Sequence, residues 1–68
     1  MDAQEVNLFE TLYDEFNLGK VSKVTAVRCR DVWNTYNPTK KITYCMCSSV
    51  QRRIYAKDFL TWYAEYNR

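Results

Sequence analysis

CMCSSVQRRIY, Cys45 to Tyr55, is the stretch whose reading decides the fold. It packs two thiols, two hydroxyls and two adjacent arginines together, and it fits three structures. It could be half of a metal site, the tip of a β-hairpin, or the start of a helix offering Ser48, Ser49, Gln51, Arg52 and Arg53 to a phosphate backbone. Just upstream, Ile42, Tyr44 and Met46 alternate with Thr43, Cys45 and Cys47, the period-two pattern of a strand. If SSVQRRIY were the returning strand, Ser48 and Ser49 would form its turn. Tight hairpins need positive φ there and prefer Asn-Gly, Asp-Gly or Gly-X. A serine pair suits a helix N-cap better.

Taken as helix over 49–66, the segment aligns Tyr55, Phe59, Trp62 and Tyr66 on one narrow stripe, with Ala56, Leu60 and Tyr63 beside it. Val50 and Ile54 fall off that stripe. Either the helix breaks near Tyr55 to Asp58, with Asp58 as a fresh cap, or it has a second packing partner. The helix is preferred here, and a short strand or hairpin near 41–47 stays open beside it.

Working outward, Asp2 followed by Glu5 resembles a capping box, and Val6, Phe9, Leu12, Tyr13 and Phe16 then recur at helical spacing. Glu10, Thr11, Asp14 and Glu15 fall on the opposite, solvated side, and Gly19 sits where a helix commonly ends in a left-handed residue. These features predict a helix over about residues 3–18. Ser22 caps a second helix that runs to about Tyr36, where Asn37 and Pro38 stop it. Thr25, Ala26, Cys29, Val32, Trp33 and Tyr36 share one arc of it, while Val24 and Val27 lie outside among charged residues. The fold expected is mainly α, a single small three-helix domain spanning 1–68, helix-turn-helix-like in arrangement.

A chain of 68 residues hides only about 60% of its unfolded surface on folding, so its eleven aromatic side chains must supply much of the core. One glycine and one proline argue for order. No run approaches the roughly 18 apolar residues of a membrane helix, and the acidic N-terminus is unlike a signal peptide. Three cysteines without scaffold spacing fit a reducing compartment. The expectation is an intracellular protein without a membrane partner.

The net charge of +2 conceals a segregation. Residues 1–19 hold five acids and no base, whereas residues 20–57 hold nine bases against the single acid Asp31. An anionic partner on one face would match that layout.

Cys29, Cys45 and Cys47 fall one ligand short of a four-coordinate zinc site, and the chain has no histidine. The alternative is that they are small, partly buried apolar residues. Without histidine there is no Ser-His or Cys-His pair, and one glycine cannot build a phosphate loop. Neither an enzyme nor a metal or other cofactor is expected; a binding or structural protein is.

The segment LYDEFNLGKVSKVTAVRCR resembles a helix-turn-helix, with Gly19 at the turn and Val21, Ser22, Thr25, Val27 and Arg28 at the front of the next helix. One residue more than usual separates Gly19 from the Val-Ser pair. The resemblance implies DNA binding. A helix presenting Ser, Thr, Gln and Arg near its N-terminus can place amides and side-chain donors on phosphates. The expected nucleic-acid contacts are Lys23, Thr25, Arg28, Arg30, Lys40, Lys41, Arg52, Arg53 and Lys57, with Arg28, Arg30, Arg52 and Arg53 as the anchors and Arg52 and Arg53 taken as exposed. The stretch WNTYNPTKKITYCMCSS is also similar to short phage-encoded accessory proteins, which implies a place in the host cytoplasm or the virion. The rival to nucleic acid is therefore a virion or adaptor protein, or a homo-oligomer, working through protein–protein contacts.

Overall fold

Three side-chain caps start three helices. The computed structural model describes residues 1–67 and contains α1 (Ala3–Asn17), α2 (Lys23–Tyr36) and α3 (Ser49–Tyr66), each packed against the other two. Asp2 and Glu5 form the reciprocal capping box of α1, with Glu5 N donating to Asp2 Oδ1 at 2.8 Å and Asp2 N to Glu5 Oε1 at 3.1 Å. At its other end, Gly19 adopts φ +80°. Its N–H donates to Phe16 O and that of Lys20 to Glu15 O, the bond pair of a Schellman motif. Ser22 caps α2 through Thr25 N, and Ser48 caps α3 through Gln51 N. No break interrupts α3 near Asp58, and the hairpin reading of 48–55 is set aside.

Phe9, Leu12, Val21, Ala26, Cys29, Met46, Ala56 and Phe59 are buried where the three helices meet. Around them lies an aromatic layer. Tyr63 stacks on Phe9 at 4.9 Å, and Trp62 meets Trp33 edge-on at 5.5 Å, so the second half of α3 is held to both other helices. Tyr36 Oη donates to Glu5 Oε1 at 2.9 Å and ties the end of α2 to the first turn of α1.

Between α2 and α3, residues 41–47 form no strand, and no strand exists among the described residues. The alternation is nevertheless real: Ile42, Tyr44 and Met46 turn inward, while Thr43, Cys45 and Cys47 are exposed. What replaces the partner strand is a set of helix side chains. The carbonyls of Lys40, Ile42, Tyr44 and Met46 accept in turn from Trp33 Nε1 (2.9 Å), Asn34 Nδ2 (2.9 Å), Arg30 Nη1 (2.8 Å) and Arg52 Nη1 (2.9 Å). Asn34 Oδ1 also accepts from Ile42 N at 2.7 Å, so one amide side chain gives that residue both bonds a neighbouring strand would. Met46 takes φ 60°, a conformation that costs a non-glycine residue roughly 1–3 kcal/mol, and its buried side chain and Arg52-bound carbonyl hold it there.

The cysteines divide. Cys29 is the small buried apolar residue expected, its thiol pushed up to about 12 by burial and then by the nearby Glu15 charge. Cys45 and Cys47 are exposed and joined in a disulfide across Met46, so the reading of them as small, partly buried apolar residues does not hold for this pair.

Candidate interaction face

Local chemistry decides which of the expected contact residues are available. At the start of α2 a carboxylate already occupies the helix N-terminus. Glu15 Oε1 accepts from Ser22 N at 2.8 Å and its Oε2 from Thr25 Oγ1 at 2.8 Å. A helix N-terminus attracts negative charge because its first amides lack partners, and α1 supplies that charge internally. Thr25 is 7% exposed and spends its hydroxyl on this bond. Glu15, placed by its spacing on the solvated side of α1, is half-buried instead. Its position one turn after the core residue Leu12 was the clue to that. Lys23 and Arg28 are exposed on α2.

Two arginines hold the 37–48 connection rather than face solvent. Arg30 donates to Tyr44 O and pairs with Asp31 at 3.1 Å, the single ion pair among the described residues. Arg52 donates from Nε to Val21 O at 2.8 Å and from Nη1 to Met46 O and Cys47 O. Lys40 and Lys41 are exposed on the connection itself.

The remaining cations meet exposed apolar groups on the α1/α3 side. A groove of about 670 Å³ lies between the α1–α2 turn and the first half of α3, walled by Lys20, Val50, Arg53, Ile54 and Lys57, and no acid lines it. Val50 and Ile54 are 66% and 52% exposed, which accounts for their departure from the core stripe. Arg53 lies over the Phe16 ring at 6.0 Å. Sharing Phe16 and Lys57 with this groove, a second of about 700 Å³ continues along the same face. Glu10, Asp14 and Glu65 line the second groove beside Tyr13, Leu60 and Ala64. α1 and α3 run antiparallel here, so one face carries a basic apolar end and an acidic apolar end. Sequence reasoning missed the acidic end because it set the acids of α1 against the bases as blocks along the chain. Among the described residues no ion pair joins the acids of α1 to those bases.

Among the described residues no three cysteine or carboxylate side chains gather as metal ligands, and no helix is long and apolar enough to cross a membrane. No protein-family model, curated protein or solved structure matches the chain.

Proposed function

We propose that the chain is a protein-contact module, a small subunit or adaptor that works through its α1/α3 face. The observation that carries this is the company Lys20 and Arg53 keep: they share their groove with the exposed side chains of Val50 and Ile54. Apolar groups ringed by charge characterise the core and rim of a protein–protein contact, whereas nucleic-acid interfaces are polar and strongly positive throughout. The occupied N-terminus of α2 and the engaged side chains of Thr25, Arg30 and Arg52 point the same way, since each removes a donor that phosphates would need.

A nucleic-acid reading keeps one observation in its favour: the basic groove holds no acid and opens beside the Ser48-capped start of α3. Titration of fluorescent duplex and single-stranded DNA against the purified chain over a salt series separates the two. A protein-contact module shows no affinity that falls linearly in log–log form with salt. A slope of roughly 0.9 per neutralised phosphate, reduced in Arg53→Ala/Lys57→Ala, would overturn the proposal in favour of nucleic acid.

A further inference from the structure

Resting on the protein-contact reading above, we propose that the occupant of the α1/α3 face is a second copy of this chain, docked about a two-fold axis. In an isologous pair the same patch serves both copies and must complement itself. This face meets that condition because its two ends carry opposite charge around apolar centres. Lys20 and Arg53 stand at one end, Glu10 and Asp14 at the other, with Phe16 and Lys57 common to both grooves. A half-turn that lays α3 antiparallel on its copy sets each basic end over the partner's acidic end. None of these four charges has an ion-pair partner among the described residues, so both ends are left to an external counterpart.

The sequence of α3 is arranged for the same packing. Val50, Ile54, Lys57, Thr61 and Ala64 recur at alternating spacings of four and three, the repeat of helices that pack along a shared seam, and all five are exposed. This second stripe is distinct from the one that buries Ala56 and Phe59. An antiparallel pair with its axis between Lys57 and Thr61 brings Ile54 of one copy over the small Ala64 of the other and Lys57 over Thr61. The bulky groups thereby fall opposite small ones, and each lysine faces a threonine rather than the other lysine. A stable interface of standard size covers about 800 Å² per partner, a minor part of the 4605 Å² surface of this chain.

Sedimentation equilibrium of the full chain over a concentration series tests the pairing. The expected result is a mass that rises from 8.2 kDa towards twice that value and stops there. Ile54→Glu, at an exposed site, is expected to leave the helical circular dichroism unchanged and the protein monomeric. Lys20→Glu/Arg53→Glu and Glu10→Lys/Asp14→Lys should each weaken self-association by on the order of a hundredfold, because each sets like charges against one another. Mixed together, these two variants should form a heterodimer, since every end then meets its opposite. A wild-type chain that stays monomeric at all concentrations would overturn the two-fold pairing. If that chain also binds no DNA, the protein-contact reading survives with a different partner; if it binds DNA with a salt slope, both fall. Assembly that grows past a dimer, or a variant mixture that stays monomeric, would also overturn the pairing.

Discussion

Arg52, in the first turn of α3, reaches back 31 residues to donate from Nε to the carbonyl of Val21 at 2.8 Å. With its bonds to Met46 O and Cys47 O, one guanidinium joins the entry to α2, the end of the 37–48 connection and the start of α3. Adjacent Arg53 does none of this and lies exposed over Phe16.

The two arginines should therefore separate in a stability measurement, although their adjacency in the sequence makes them look equivalent. Hydrogen bonds from a charged donor contribute roughly 1.5–3 kcal/mol net, and Arg52→Ala is expected to lower the unfolding free energy by about that much. Arg53→Ala should cost about 0.5 kcal/mol, the usual scale for an exposed site. Urea unfolding of both variants decides it, and equal losses would contradict the assigned role of Arg52.

A parallel contrast holds on α1. Glu15→Ala removes the carboxylate that accepts from Ser22 N and Thr25 Oγ1, which leaves Thr25 buried without its acceptor. A loss of roughly 1.5–3 kcal/mol is expected. Neighbouring Asp14→Ala, at an exposed position, should change stability by no more than ~0.5 kcal/mol. Thermal melts of the pair provide the comparison.

Stability should also fall at high pH through Tyr36. Its hydrogen bond to Glu5 comes first in pushing the phenol up to about 12, followed by burial and then by the charges of Glu5, Tyr66 and Asp2. The ordinary phenol value is near 10. A value raised in the folded state means that the protonated form is favoured by folding. The stabilisation is thus complete below about 10 and is lost as pH rises through about 12. Urea midpoints of wild type and Tyr36→Phe should differ most near neutral pH and converge above about 12; a gap independent of pH would show that the hydrogen bond to Glu5 contributes nothing.

Asn34 is expected to be as sensitive as a core residue. Its amide both donates to Ile42 O and accepts from Ile42 N. Asn34→Ala leaves both part-buried groups unpaired, at about 1–3 kcal/mol, and Asn34→Asp keeps the acceptor while losing the donor. Amide exchange at Ile42 should accelerate strongly in Asn34→Ala and less in Asn34→Asp.

Helix existence, helix ends and most of the core were legible in the sequence, because they depend on interactions a few residues apart. Asp2 with Glu5, Ser22 with Thr25, Ser48 with Gln51 and the left-handed Gly19 are local matters of capping, and the stripe through Phe9, Leu12, Ala56 and Phe59 is local periodicity. The alternation of Ile42, Tyr44 and Met46 with Thr43, Cys45 and Cys47 coincides with which side chains turn inward and which face out. It could not state what satisfies the backbone between them, since alternation reports burial and not the source of the hydrogen bonds. Only the packing of α2 and α3 against that segment brings Asn34, Arg30 and Arg52 to its carbonyls. The same limit governs charge. Counting acids and bases along the chain cannot distinguish Arg52 from Arg53, or Glu15 from Asp14, because whether a charge is used internally or offered outward depends on partners up to 31 residues away in the sequence, which tertiary structure alone brings within hydrogen-bond reach.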